Sequence, residues 1–88
     1  MPGSDNTALK RELKQLIIAA CEKEISPDDV SDDAPLLGPE SVLDLNSLDV
    51  LQINVALQQR YGVRINDGKH ARRVMTSINA LADFVSPA

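Results

Sequence analysis

Residues 42–62 read "VLDLNSLDVLQINVALQQRYG", and the fold turns on how the serine near their middle is read. A Leu-rich, extended approach gives way at Asn46 and Ser47 to an amphipathic helix that runs to Tyr61. At 100° per residue, Val50, Ile53, Leu57 and Tyr61 fall within one arc of about 80°. Leu48, Leu51 and Val55 fall within a second arc of about 60°, almost opposite the first. One stripe can face a core; the other must be covered by a neighbour in the bundle or offered to a partner. Ser47 lies beside that second stripe, so a group attached there would emerge next to an apolar ridge. Serine at such a junction is a natural helix cap. Asn46 can take that duty instead and leave Ser47 free for chemistry.

The rest of the chain organises around this helix. Gly62 reads as the residue that ends it, and residues 62–67 read as a loop, since "VRI" is too short and isolated for a sheet. A short helix is expected over His70–Val74. A last helix follows, with Thr76 or Ser77 as cap and Ile78, Leu81, Ala82 and Val85 as its inner face. On the other side, residues 26–46, "SPDDVSDDAPLLGPESVLDLN", form a long connection with three prolines and one glycine. Connections of this length are uncommon in compact domains and are often functional. Before it, Ser4, Asp5, Asn6 or Thr7 can cap a first helix whose apolar face is Leu9, Leu13, Leu16, Ile17 and Ala20. Pro27 biases Ser26 away from helical angles, so this helix is expected to end near Lys23–Ile25. Cys21 lies at the edge of its apolar face, a small core residue rather than a reactive thiol. The expectation is an all-α domain, a small helical bundle of three main helices plus one short helix. A long loop separates the first and second helices. It is one domain across residues 1–88, ordered roughly over 5–86, with Leu13, Ile17, Ile53, Leu57, Leu81 and Val85 buried together.

Composition narrows the function. Of the 88 residues, 43% are hydrophobic, but only one Phe, one Tyr and no Trp are present, so the core must be aliphatic. A single cysteine excludes an intrachain disulfide and fits a reducing compartment. No apolar run approaches spanning length and the N-terminus lacks a leader pattern, which points to a cytoplasmic protein. Net charge is −4 and uneven: residues 1–44 carry ten Asp or Glu against four Lys or Arg, and residues 45–88 carry three against five. An acidic whole argues against nucleic acid as a partner, despite the basic run "KHARR" at 69–73.

Catalytic and metal chemistry fare poorly. Asp28, Asp29, Asp32 and Asp33 miss the EF-hand spacing, with no Gly at the sixth position and no Glu at the twelfth, and read as a solvated acidic loop. Ser47 lacks a Gly-x-Ser-x-Gly elbow, and the only histidine, His70, sits in the basic cluster and reads as a surface or interface residue. The expectation is no catalytic residue and no metal ligand.

The order of elements together with "DLNSLDVLQINVALQQRYGVRI" resembles the acyl carrier proteins, in which an Asp-Ser-Leu triplet opens the second helix after a long loop. The approach "LLGPESVLDL" and the closing "MTSINALADFV" extend the resemblance over roughly residues 8–86, and it points to a specialised bacterial member. It implies that Ser47 carries a covalent 4′-phosphopantetheine, transferred from coenzyme A by a phosphopantetheinyl transferase. The thiol of that arm would hold acyl groups as thioesters for acyl-loading and acyl-using enzymes of fatty-acid, lipid or polyketide-type synthesis. The chain would be a monomeric shuttle rather than an enzyme. An aminoacyl or peptidyl carrier, and an unmodified helical interaction domain, are the alternatives.

Two departures from the family pattern stand out. Asn46 occupies the position before the serine where Asp is usual, so the capping oxygen is kept and the charge is lost. The second helix, usually acidic on its outer face, here bears Gln52, Gln58, Gln59 and Arg60, with Asp49 alone negative. Partner recognition is therefore expected from Asn46, Leu48, Asp49, Leu51, Gln52 and Val55, and separately from Lys69, Arg72 and Arg73 on the short helix.

Overall fold

In the computed structural model, which describes residues 3–37 and 45–86, the chain forms four α-helices: α1 (Thr7–Ala20), α2 (Ser47–Tyr61), α3 (Gly68–Val74) and α4 (Ile78–Val85). Short 3-10 turns cover Gly3–Asp5 and Pro27–Asp29. Among the described residues there is no strand, and one isolated parallel bridge pairs Leu37 with Leu45. The domain is all-α, as its periodicity indicates. Residues 38–44 of the expected connection lie outside the described residues.

Each helix begins on a side chain that satisfies a first-turn amide. Asn6, Asn46, Asp67 and Ser77 accept from the backbone N–H of Leu9, Asp49, His70 and Ala80 respectively, which compensates donors that lack a partner within the helix. α3 therefore starts two residues before the expected His70, because Asp67 caps it. Gly62 closes α2 in the left-handed region at φ 72°.

α1 stops earlier than expected, at Ala20 rather than near Lys23–Ile25. Glu22 adopts φ 54°, its amide donates to Ala19 O, and the amide of Lys23 donates to Ile18 O at 3.0 Å. These two bonds make a Schellman stop on a residue that carries a β-carbon. No glycine announced it, so Pro27 was the visible terminator. Left-handed backbone costs a non-glycine residue about 1–2 kcal/mol, and glycine gives back about 0.5–1 kcal/mol in chain entropy. Glu22→Gly is thus expected to stabilise the domain by up to about 1 kcal/mol. Urea denaturation reads this directly, and a loss of stability would show that the Glu22 side chain contributes a contact of its own.

Leu9, Leu13 and Ile17 of α1 meet Ile53 and Leu57 of α2 and Ile78, Leu81 and Ala82 of α4 in one aliphatic core. α1 packs against both α2 and α4, and α3 against α4. Val85, expected inside, is only half-buried at the end of α4. The loops contribute more than their composition suggested: Val30, Leu36, Leu45, Ile65 and Met75 are all buried. Gly3 is buried as well, its amide 2.7 Å from Ser86 O. A β-carbon there would run into the backbone of Ala82, so the N-terminal turn can lie on α4 only with glycine at this position.

The acidic loop is also less solvated than expected. Asp32 accepts ion pairs from Lys10 at 3.1 Å and Lys14 at 2.7 Å, two cations one turn apart on α1. Its backbone oxygen accepts from the Asn79 backbone amide, so Asp32 pins the loop to α1 through its carboxylate and to α4 through its carbonyl. The lysines hold its carboxyl below the usual range, the hydrogen bond from Lys14 being the largest cause.

Candidate functional site

Ser47 is the first residue of α2, and Asn46 is its cap. Asn46 Oδ1 accepts from the Asp49 amide at 3.0 Å, and Asp49 Oδ2 accepts from the Asn46 amide at 3.1 Å. This reciprocal capping box satisfies two donors without using the serine. Capping of α2 falls to Asn46, as its side chain permits.

Asp49 differs in setting from a free docking charge. Its side chain is 13% exposed, and Lys23 Nζ lies 3.8 Å from Oδ2. Cys21 Sγ sits 3.8 Å from the Asp49 backbone oxygen. The end of α1 is thus latched beneath the first turn of α2. Burial, reinforced by the Asp49 charge, pushes the Cys21 thiol up to about 11, which leaves it protonated and unreactive at neutral pH.

The two stripes of α2 separate cleanly. Ile53 and Leu57 are 0% exposed, whereas Leu48, Leu51 and Val55 are 63%, 62% and 55% exposed. The second stripe is therefore an uncovered ridge that begins one residue after Ser47. Gln52, Gln58 and Gln59 are exposed around it. Arg60 is exposed too, but its guanidinium lies 3.0 Å from Glu12 Oε1.

A cleft of about 640 Å³ opens beside this turn, between α2, the loop at 62–67 and α3. Leu37, Leu45, Val50, Ile65 and Ala71 supply apolar walls, and Leu51, Arg64 and Arg72 also line it. Asn54 holds the loop in place: its side chain donates to Ile65 O at 3.2 Å and accepts from the Ile65 amide at 2.9 Å. Sequence reasoning missed both Asn54 and the cleft. A single polar residue flanked by Ile53 and Val55, followed by a loop with a lone buried Ile, was the available signal. Lys69, Arg72 and Arg73 are exposed on α3. His70 Nδ1 accepts from the Asn66 amide, and its ring meets Phe84 edge-on at 5.0 Å. Both contacts hold the ring between α4 and the loop before α3. Among the described residues no group of three His, Cys, Asp or Glu is placed to hold a metal ion, and no helix is long and apolar enough to cross a membrane.

These features define a small helical domain in which a serine opens a helix capped by Asn46, next to an apolar ridge. No family model matches the chain. It is 34% identical to "Polyketide-8 synthase acyl carrier protein 2" of Streptomyces avermitilis over 82 residues, covering 92% of this chain and 83% of that protein. The chain belongs to the acyl carrier protein family. It is accordingly a carrier and not an enzyme.

The Asn46 position tests the one charge the first turn lacks. Asp caps as well as Asn, so Asn46→Asp is expected to leave stability unchanged while speeding modification by a generic transferase. Equal rates by intact-mass time course would mean the missing carboxylate plays no part in docking.

Proposed function

We propose that Ser47 is the attachment point of 4′-phosphopantetheine and that the chain shuttles acyl groups as thioesters in polyketide-type synthesis. The observation that carries the reading is Ser47's place as the first residue of α2, relieved of capping by Asn46. A phosphodiester there would sit where first-turn amides lack intrahelical acceptors and the macrodipole favours an anion. Asp49 in the same turn is offset by Lys23, so the group fits the charges around it. When bound, the arm supplies a thiol that holds the acyl cargo. Ser47 needs no activation of its own, because the phosphopantetheinyl transferase brings the base and the metal.

The polyketide assignment follows the relative's name and the Gln-rich outer face of α2, which offers little negative charge to an enzyme built for an acidic carrier. Acyl-loading and acyl-using enzymes are proposed to grip Leu48, Leu51 and Val55, with Asn46 and Gln52 at the margin. Asp49 contributes less than expected from sequence, since its carboxylate is occupied by the capping box.

The test is intact-mass measurement after incubation with coenzyme A and a promiscuous transferase. A gain of one phosphopantetheine unit, lost in Ser47→Ala, is expected. An unchanged mass for the wild-type chain would leave the unmodified interaction domain as the surviving reading.

A further inference from the structure

We infer that the loop after α2 and the outer face of α3 form a cationic docking strip for an acidic patch on an enzyme that works on the Ser47-borne group. The identity of that partner as an enzyme rests on the carrier reading above. The charges themselves divide in a way that reading does not require. Of the nine Lys and Arg residues, Lys10, Arg11, Lys14, Lys23 and Arg60 each lie against a carboxylate. The other four, Arg64, Lys69, Arg72 and Arg73, have no ion-pair partner among the described residues, and all four are exposed. They fall within ten consecutive positions.

Local stability does not account for this placement. Arg72 and Arg73 occupy the last turn of α3, where the helix dipole favours cations. Lys69 occupies the first turn, where it is opposed, and Arg64 lies outside the helix. Lys69, Arg72 and Arg73 are also neighbours at i, i+3 and i+4, so their like charges repel. The one nearby carboxylate in sequence, Asp67, is engaged by the His70 amide as the cap of α3. An arrangement that costs the free domain stability is relieved when an acidic surface meets it.

Geometry joins the strip to the ridge. Arg64 and Arg72 line the same cleft as Leu51, so a partner that covers the ridge at Leu51 comes up beside two of the four cations. The occupant is a folded protein with a local acidic patch. An extended polyanion or an anionic bilayer is disfavoured by the chain's net charge of −4, which a local acidic patch on a folded partner does not have to overcome in full. The strip would set on-rate and exclude partners whose matching surface is basic.

The experiment follows backbone amide shifts of the full chain by NMR while a short peptide of Glu interspersed with Leu is added, with a Lys and Leu peptide as control. Shifts at residues 48–55 and 64–73 are expected with the acidic peptide alone. Apparent affinity should fall about tenfold between low and physiological ionic strength, as exposed charges are screened. Binding should be lost when Lys69, Arg72 and Arg73 are all changed to Glu. The matching change to Gln, which removes charge without reversing it, should weaken it by an intermediate factor and serves if the Glu variant does not fold. No shifts, equal shifts with the basic peptide, or shifts that survive neutralisation would overturn the inference. The same amides shifting with protein concentration alone would also overturn it, by making a second copy the occupant. Mass gain with coenzyme A is measured on the same samples, so loss of the carrier reading is seen separately from loss of the strip.

Discussion

Replacing Leu57 by alanine is expected to cost about 2–5 kcal/mol of folding stability. The side chain is fully buried, one turn after Ile53, in the core where α2 meets α1 and α4. Truncation removes its transfer free energy and leaves a cavity that helices anchored at both ends cannot close. A domain of this length has a total stability of only about 5–13 kcal/mol, so the variant would sit near the threshold of unfolding. Urea denaturation at constant m-value gives the measurement. A cost under about 0.5 kcal/mol would show that Leu57 does not bear on the core.

Leu57 was readable in the sequence for the reason that makes it sensitive. Ile53 and Leu57 repeat at helical spacing with the Leu9, Leu13 and Ile17 series and the Ile78, Leu81 and Ala82 series, and three amphipathic faces leave few ways to pack. The caps of α1, α2 and α4 were narrowed to a few candidates, because Asn, Asp, Ser and Thr before an apolar periodic run all satisfy orphan amides, and the structure selects Asn6, Asn46 and Ser77 among them. Asp67 escaped because its helix is short and its inner face holds only Ala71 and Val74. The stop of α1 escaped because a residue with a β-carbon took the conformation that glycine normally marks.

The loops were the least legible. Val30, Leu36, Leu45 and Ile65 stand alone or in short apolar runs within loops, with no helical period to announce their burial. Asp32 looked like its neighbours Asp28 and Asp33, yet only it meets both Lys10 and Lys14. That contact depends on where the loop passes α1, which no local pattern encodes. The cleft beside Ser47 was illegible for the same reason, since its walls come from four separate segments. The serine proposed for attachment stood out through its motif, while the capping of its helix by Asn46 required the geometry of Asn46 and Asp49.

The opposite face of α2 is expected to behave in the reverse manner to Leu57. Leu48→Gln and Leu51→Gln together should change stability by less than about 0.5 kcal/mol, because both side chains are already mostly in water. The same pair should lower kcat/KM for modification of Ser47 by a promiscuous transferase about thirtyfold or more, the loss expected when apolar anchors worth about 2 kcal/mol are removed from the centre of an interface. The effect should be graded along the helix. Leu48 adjoins the serine, Leu51 lies one turn on, and Val55 lies about 12 Å along the axis, so Val55→Gln alone should have the smallest effect on the transferase. The change should appear chiefly in KM, as docking is weakened while the chemistry at the serine is not. Because the contact is apolar, the ratio between variant and parent should hold as salt is raised. The wild-type rate for the double variant would mean that the transferase approaches Ser47 from another side, and the exposure of the ridge would then belong to the enzymes that handle the acyl group.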